Sequence, residues 1–483
     1  MEDMLYIKVA KRVEELIRNG VYQPGDKLPS LRTVHLQQGV SIGTALQAYY
    51  HLLDKGVIQA RERSGYFVTA LSTLEHPLPR SVHPSMSERP VSIDKLMQRL
   101  WMESPASQFV SFANAIPDGQ LLPLTSIRRA IQQVLQDPGA KYLSYEEPKG
   151  NLALRRAIAK RGVTWGAVLQ ADDIIITNGA TEAINLSLRA VTQPGDTVLV
   201  QTPCYYGVLQ SLELMQLKAV SIPCHAGSGI RIEDLENACH NRNVRACVLV
   251  SNFNNPNGAC LSSEKKRKIA AFANRARIPV IEDDLYGDIY FGDKRPDTIY
   301  NYDSGGWVLL CSSFSKSLAP GFRLGWCIPG RFGYQVERLK FMASHASPSI
   351  LQLALCSLLQ NGVYDRHLRG FRRELEKNLT RTIGLVAQTF PAGTAFTRPE
   401  GGLVLWVELP KHLNAEALQV AAFEKGIAIA PGGLFSIVHE FKNYIRISYA
   451  NAWNKKTETA LKALGHLCRS GYCALVILLL NFP

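Results

Sequence analysis

The 483-residue sequence predicts an α/β protein preceded by a small helical unit, and three observations carry this prediction. From about residue 109, apolar runs typical of strands alternate with helical stretches, which predicts a mostly parallel sheet covered by helices. From about residue 349 to 470 the order is helix, strands and helix, which predicts a smaller α+β part. Residues 5–55 show three short helical patterns with capping residues. With 46% apolar and 20% charged residues, the composition excludes long disorder and fibrous repeats.

The N-terminal unit, residues 1–70, predicts three helices followed by a hairpin. The first helix begins near Leu5, Ser30 is placed to cap the second, and Ser41 is placed to cap the third. Two strand-like runs follow at residues 57–60 and 66–69, separated by a turn that contains Gly65. This order is the plan of a winged helix-turn-helix, which we call the head.

The rest of the chain divides by composition. Residues 71–108 are rich in proline and predict a linker, with a short helix near residues 93–102. Residues 109–470 form the α/β part, with a large portion to about residue 348 and a small portion from about 349 to 470. Residues 471–483 form an atypical apolar tail that is too short to cross a bilayer.

The formal charge of +13 suggests a nucleic-acid partner until its distribution is examined. Residues 1–69 hold nine Lys or Arg against seven Asp or Glu, whereas residues 109–483 hold 41 against 30. Any binding of nucleic acid by the head must therefore depend on a few basic residues at specific positions and not on its net charge. Ten cysteines without a C-x-x-C pair, and the lack of a signal peptide, predict a reduced cytoplasmic protein. We expect no membrane partner and no metal site.

Three motifs of the head occur in the order seen in a known family. They are residues 25–32, residues 40–44 and residues 63–68, and together they resemble the GntR-type winged helix. The resemblance implies a double-stranded DNA operator as partner, because the N-terminus of a recognition helix enters the major groove and a basic wing approaches the backbone. The implied DNA-binding residues are Arg32, Ser41, Thr44, Arg61, Arg63 and Gly65. The alternative is a helical unit used only for docking.

A further motif, residues 312–326, lies in the α/β part after an apolar strand and contains residues that could react with a cofactor. Lys316 lies among hydroxyl and small residues, with Arg323 seven positions later. A lysine amine can form a Schiff base with an aldehyde cofactor, while hydroxyls and a guanidinium bind the phosphate of that cofactor. This segment resembles the fold-type-I aminotransferases, whose cofactor is pyridoxal 5′-phosphate. Joined to the head, the whole chain resembles the MocR-type subfamily of GntR regulators.

The resemblance assigns further residues, each through its own motif. It places Asp283 at the pyridine nitrogen, Tyr286 and Asn255 at the phenolic oxygen, and Tyr205 on the ring. The phosphate would be bound by Ala180, Thr181, Ser313, Ser315 and Arg323. Arg446 would bind the carboxylate of a substrate or effector. Tyr142, Ser144, Tyr145 and Gly150 would help to close the site, from the same or a neighbouring subunit.

Two functions remain open at this point. In the first, the protein is a transcription regulator that senses an amino acid, an amine or pyridoxal phosphate by aldimine exchange at Lys316. In the second, it is an active aminotransferase with a secondary head, because Lys316, Asp283 and Tyr286 supply the catalytic groups. The motifs and the resemblance favour regulation. The resemblance also implies a homodimer, which would recognise two half-sites on DNA.

Overall fold

The structure is a computed structural model, and it describes residues 5–19, 21–23, 25–54, 57–61, 64–68, 77–84, 86–92, 109–139, 141–240, 243–438 and 440–470. The helices are α1 Leu5–Arg18, α2 Leu31–Gln38, α3 Ile42–Asp54, α4 Leu124–Leu135, α5 Leu152–Gly162, α6 Ala180–Val191, α7 Tyr206–Leu214, α8 Ile232–His240, α9 Ser263–Ala276, α10 Gly333–Ser344, α11 Ser349–Gln360, α12 Val363–Thr389, α13 Ala415–Glu424 and α14 Lys455–Arg469. The strands are β1 Ile58–Arg61, β2 Gly65–Val68, β3 Arg89–Pro90, β4 Val110–Ser111, β5 Ile175–Thr177, β6 Thr197–Thr202, β7 Lys218–His225, β8 Gly229–Ile230, β9 Val244–Leu249, β10 Val280–Asp283, β11 Val308–Ser313, β12 Gly325–Ile328, β13 Ala395–Phe396, β14 Val404–Glu408, β15 Ile427–Ala428, β16 Ala430–Pro431 and β17 Tyr444–Ser448.

The head folds as three helices and an antiparallel hairpin, as the sequence predicts. The Ser30 hydroxyl accepts a hydrogen bond from the Thr33 N–H and caps α2, and Gly39 turns the chain into α3 with a φ of 63°. Strands β1 and β2 pair from Ile58 with Val68 to Arg61 with Gly65. The three helices and the hairpin bury one apolar core of their own. The head therefore has the winged helix-turn-helix plan.

A nine-stranded mixed sheet forms the centre of the large part, with its main path in the order β3-β7-β6-β9-β10-β11-β12-β5. Strands β7, β6, β9, β10 and β11 are parallel neighbours, whereas β12 runs antiparallel to both β11 and β5. Apolar runs of the kind that predicted the sheet form its strands, such as residues 198–200 in β6 and residues 308–310 in β11. Because β5 points the same way as the parallel strands, the carboxyl ends of β5, β6, β9, β10 and β11 meet at one edge.

The small part is a four-stranded sheet, β13-β14-β17-β16, with antiparallel pairs and the long helix α12 beside it. Strand β4, at the start of the predicted large portion, instead pairs with β15, and the Phe112 N–H donates to the Ala428 carbonyl. Phe112 is buried in the same core as the small sheet. The chain thus passes through the small part before it builds the large one.

Part of the predicted linker lies on the α/β domain. Strand β3 pairs with the edge strand β7, and Val91 is buried in a core of the central sheet. Residues 77–84, which we call the strap, contact the strands β7, β14 and β17. The expected helix near residues 93–102 and the apolar tail at residues 471–483 lie outside the described residues.

Candidate functional site

Six of the predicted site residues line one cavity, although 241 residues separate the first from the last in sequence. They are Tyr205, Asn255, Asp283, Tyr286, Lys316 and Arg446. Most lie just beyond strands that end at the common edge of the central sheet, and Asp283 is the last residue of β10. Arg446 comes from β17 of the small part, so the cavity lies where the two parts meet.

Burial changes the acid–base properties of two residues in this cavity. Burial, together with the guanidinium groups of Arg446 and Arg323, lowers the pKa of Lys316 to about 8. Burial also raises the pKa of Asp283 to about 7, although the Leu285 N–H donates to its carboxylate at 3.1 Å and opposes this rise. A group with a pKa near neutrality can gain or lose a proton at physiological pH.

The side chains at the cavity wall are held by close packing. The ring of Tyr205 lies over Gly207, where an added Cβ would come within 2.5 Å of the ring. Only glycine therefore leaves room for Tyr205 in this position. Asn255 hydrogen-bonds the side chain of Tyr286 and accepts a hydrogen bond from Arg446 Nη1 at 3.0 Å.

Arg446 is fully buried, and its three nitrogens have different surroundings. Nη1 donates to Asn255 and Nη2 donates to the Ala113 carbonyl, but Nε has no hydrogen-bond partner. The aromatic rings of Phe435 and Tyr206 flank the guanidinium at 4.9 and 5.8 Å. A buried donor without a partner is costly, and the guanidinium lines the cavity, where it can pair with a negatively charged group.

The predicted phosphate-binding residues form a cluster beside the cavity. Cross-strand pairing aligns Ser313 with Gly325 and Gly325 with Thr177, which brings the loop after β11 next to the N-terminus of α6. The Ser313 and Ser315 hydroxyls are buried and lie 2.9 Å apart. Arg323 Nη2 donates to the carbonyl of Asn178, so this guanidinium also lies at the start of α6.

This cluster has the chemistry that a phosphate requires. Gly179 has a φ of 84°, and an added Cβ there would lie 2.8 Å from the Arg323 guanidinium. Ala180 begins α6, followed by the exposed Thr181, so free N–H groups of a helix N-terminus lie beside two hydroxyls and a guanidinium. The residues present therefore fit the phosphate of pyridoxal 5′-phosphate, with Lys316 in the adjoining cavity.

The predicted DNA-binding residues lie on one unit but differ in exposure. Arg32 and Ser41 are exposed, Thr44 is half-buried, and Gly65 begins β2 with a φ of 104°. The Ser41 hydroxyl accepts a hydrogen bond from the Thr44 N–H at 3.0 Å and so caps α3. Arg63 and the side chain of Arg61 lie outside the described residues.

Comparisons with known proteins match both units. A model described as bacterial regulatory proteins, gntR family, matches residues 5–68, and a model of aminotransferase class I and II matches residues 112–464. The HTH-type transcriptional regulator YdcR of Escherichia coli (strain K12) is 39% identical over 462 residues, 96% of this chain and 98% of that protein. This chain belongs to the MocR-type regulators of the GntR family.

Aminotransferases are more distant relatives of this MocR-type regulator. The 2-aminoadipate transaminase of Thermus thermophilus is 28% identical over 371 residues, 76% of this chain and 91% of that one. The crystal structure of the α-aminoadipate aminotransferase LysN from Thermus thermophilus, complexed with N-(5′-phosphopyridoxyl)-L-leucine, matches with a TM-score of 0.73 and 26% identity. That match covers 80% of this chain and 97% of LysN, which confirms the predicted fold.

The MocR-type site also contains residues that the sequence did not single out. Asn114, Ala115, Ile116, Tyr206, Val250 and Leu285 line the cavity with the predicted residues. Tyr206 follows the predicted residue Tyr205, and Leu285 lies between the predicted residues Asp283 and Tyr286, so their positions in sequence could have indicated that they lie near the site. Residues 114–116 come from the loop after β4, and no local pattern distinguishes them.

The residues that were expected to help close the site, at positions 142–150, do not line the cavity of their own chain. Tyr142, Ser144 and Tyr145 line a separate surface groove with residues 344–350. Gly150 packs against the Ile176 side chain, where an added Cβ would lie 2.5 Å away. In the part of the MocR-type chain that the structure describes, no helix is long and apolar enough to cross a membrane, and no cluster of His, Cys, Asp or Glu could hold a metal ion.

A buried ion pair supports the loop before α6. Lys340 is fully buried, and its Nζ donates to the Glu182 carboxylate at 2.8 Å. Glu182 also accepts from the Asn178 N–H at 2.6 Å and from the Ser344 hydroxyl at 2.8 Å. Lys340 and Glu182 therefore hold this loop against α10, and neither was among the predicted site residues.

Replacing Lys340 with methionine is expected to lower the free energy of unfolding by about 3 kcal/mol, because the change leaves Glu182 charged and without its cation. The measurement is urea unfolding of the purified protein. The double variant Lys340→Met/Glu182→Met is expected to regain a large share of the loss. The exposed pair Lys462–Glu458 is the control, and Lys462→Met should cost less than about 1 kcal/mol. Equal effects at the two lysines would contradict the prediction.

Asp283→Asn is expected to stabilise the cofactor-free protein at and above pH 7 but not at pH 4. The folded protein holds the pKa of Asp283 at about 7, against 3.8 as its ordinary value, so the folded state binds more protons between these values. The contribution of Asp283 to stability therefore falls as the pH rises from about 4 to 7, and asparagine removes this loss. The expected difference above pH 7 is on the order of 3 kcal/mol. Unfolding at several pH values measures it, and a difference that is constant with pH would contradict the assignment.

Proposed function

We propose that the protein is a DNA-binding transcription regulator that binds pyridoxal 5′-phosphate around Lys316 and changes its affinity for DNA when an amine or amino acid enters the same cavity. The observation that carries the proposal is the convergence of Lys316, Asp283 and Arg446 on one cavity in a chain with a GntR-type head. The three side chains supply an amine, a carboxyl group and a carboxylate-binding guanidinium.

Different residues of the site would bind different parts of the cofactor. Asp283 would face the pyridine nitrogen, Tyr286 and Asn255 the phenolic oxygen, and Tyr205 the ring. Ala180, Thr181, Ser313, Ser315 and Arg323 would bind the phosphate. When bound, the cofactor supplies an aldehyde that condenses with a primary amine and a ring that withdraws electrons.

The lowered pKa of Lys316 suits exchange with an incoming amine. With a pKa of about 8, part of its Nζ is neutral at physiological pH and can act as a nucleophile. Arg446, which lines the cavity, would hold the carboxylate of an amino acid through its guanidinium. Lys316 and Arg446 thus recognise the two polar groups that all amino acids share.

The strap offers a physical connection between this cavity and the head. The Arg80 N–H donates to Glu408 at 2.7 Å, and the Tyr444 hydroxyl donates to the Arg80 carbonyl at 3.1 Å. Glu408 and Tyr444 face each other across β14 and β17, two residues from Arg446 along β17. A ligand that moves Arg446 would therefore act directly on the strands that hold the strap, which lies between the head and the domain in sequence.

The strap also contacts the other side of the site. Ser81 and His225 Nδ1 are hydrogen-bonded at 2.6 Å, at the end of β7. The residue before His225 accepts from the Asn257 amide at 2.9 Å, two residues after Asn255. Two independent routes thus lead from residues of the cavity to the strap.

Tyr444→Phe is expected to weaken the coupling between ligand and DNA while leaving ligand binding intact. Phenylalanine keeps the stacking of this ring on Trp406 but removes the hydrogen bond to the strap. The expected result is an unchanged ligand titration, followed by visible absorbance, with an effect of ligand on DNA affinity at least about threefold smaller. Tyr302→Phe is the matched control, because it removes a tyrosine hydrogen bond to Asp297 away from the strap. An unchanged ligand effect in Tyr444→Phe would exclude this route.

We also propose that the working form is a homodimer. Leu143 and Tyr145 are 79% and 92% exposed and line the groove formed with residues 344–350. Exposed apolar side chains of this size suit burial against a second copy. A dimer would present two heads, with Arg32, Ser41, Thr44, Arg61, Arg63 and Gly65 directed to two half-sites of an operator.

The proposal is tested with the full-length protein loaded with pyridoxal phosphate. An operator is first selected from a random DNA library, and the affinity for it is then measured by fluorescence anisotropy in the presence of single amino acids and amines. The expected result is a change in affinity with at least one of them, at the concentrations that change the visible absorbance. DNA affinity that is constant across all ligands that alter the absorbance would contradict regulation through this cavity.

Aminotransfer remains a second candidate function, and the same cavity favours it. Lys316 could carry a proton, and Asp283 could hold the ring nitrogen in its protonated form. Turnover of an amino acid with a 2-oxo acid by the purified protein tests this candidate. Rates at the level of free pyridoxal phosphate would count against it.

A further inference from the structure

The outer wall of the cavity around Lys316 is apolar. Beyond the predicted site residues, the described lining consists of Asn114, Ala115, Ile116, Tyr206, Val250 and Leu285. Ile116 lines the cavity and is 46% exposed, so it lies at the opening. A ligand that extends from Lys316 towards solvent therefore meets aliphatic and aromatic surface and one amide.

Few charged side chains of the cavity are able to pair with a charged group of a ligand. Within the described lining, the charged side chains are Lys316, Asp283 and Arg446. Under the proposed function Lys316 and Asp283 face the cofactor, so Arg446 is the cation that remains. Its Nη1 and Nη2 each donate one hydrogen bond within the protein, and its buried Nε has no hydrogen-bond partner. One carboxylate would pair with this guanidinium, and a second would meet no cation among the described residues that line the outer wall.

We infer that the effector is an amino acid with one carboxylate and an uncharged, mainly apolar side chain, and that Ile116 helps to select it. The inference rests on the proposed function and specifies the ligand of the same cavity. An apolar side chain gains free energy by leaving water for the wall formed by Ala115, Ile116 and Leu285. The second carboxylate of a dicarboxylic amino acid would lose water there without compensation.

The test measures ligand affinity through the visible absorbance of the full-length protein loaded with pyridoxal phosphate. L-Leucine and L-phenylalanine are expected to bind at least about tenfold more tightly than L-aspartate and L-glutamate. 3-Methylbutylamine, which is leucine without its carboxylate, should bind more weakly than leucine because Arg446 loses its partner. Tighter binding of the dicarboxylic amino acids would overturn the inference and leave the proposed function standing. No absorbance change with any ligand would overturn both.

A charge introduced at the opening provides the matched experiment. Ile116→Arg adds a cation beside the apolar wall, so the affinity for L-glutamate is expected to rise about tenfold relative to that for L-leucine. Val163→Arg is the control, because Val163 is 75% exposed and does not line the cavity. An equal affinity ratio in the two variants would overturn the role of Ile116.

Discussion

Lys316→Ala is expected to abolish the response of DNA binding to amines while leaving operator affinity within about twofold of the wild type. Lys316 lines the cavity, and under the proposed function its amine condenses with the aldehyde of the cofactor, which alanine cannot do. The head folds around a core of its own, so the change should not reach α3 or the hairpin. The measurement is fluorescence anisotropy with the selected operator, with and without the effector amine.

A second measurement and a control variant show whether the effect is specific to Lys316. The visible absorbance of the loaded protein should disappear or shift, because it reports the bond between Lys316 and the cofactor. Lys294→Ala, at an exposed lysine of the same domain, is the control and should behave as the wild type in both assays. An effector response that persists without Lys316 would contradict sensing through this residue.

Arg446→Gln is expected to reduce the affinity for an effector amino acid by about 10- to 100-fold. A charge-assisted hydrogen bond to a carboxylate contributes about 1.5–3 kcal/mol, and glutamine keeps a polar group of smaller reach. The affinity for the corresponding amine without a carboxylate should change by less than about threefold, because Lys316 and the cofactor site are retained. Titration of both ligands by visible absorbance separates the two effects.

The choice of control matters for Arg446 because the residue is fully buried. Arg381→Gln removes a guanidinium that is 46% exposed and lies over Trp453, so it reports any general effect of the lost charge. Arg446→Lys restores the charge without the planar geometry and should recover only part of the affinity. Equal losses for the amino acid and the amine would show that Arg446 supports the cavity rather than recognising a carboxylate.

Positive charge proved a weak guide to function in this chain. The net charge of +13 suggested nucleic acid, yet the head carries little of the excess. Several cationic side chains of the α/β domain form ion pairs inside that domain. Arg295 pairs with Asp284 and Asp288, and Arg155 pairs with Glu147. The ordered motifs, and not the charge, predicted the GntR-type head.

Local sequence determined much of this protein. Caps such as Ser30 and Ser41 and the glycine at position 39 act through hydrogen bonds within a few residues, so the helices of the head could be predicted one by one. The apolar runs predicted the parallel strands for a similar reason, because burial on both faces requires continuous apolar sequence. Residues that follow such strands, including Asp283, were then expected at one edge of a sheet.

Only the tertiary structure decided which of these residues meet and what surrounds them. Arg446 contacts Asn255 across 191 residues, and the Arg80 N–H reaches Glu408 across 328 residues. Such contacts depend on how sheets and helices pack, and no periodicity of sequence records them. The antiparallel direction of β12, the apolar wall around Ile116 and the attachment of the strap all arose in this way. Local hydrogen bonding and burial thus selected the elements, whereas long-range packing formed the cavity and its connection to the strap.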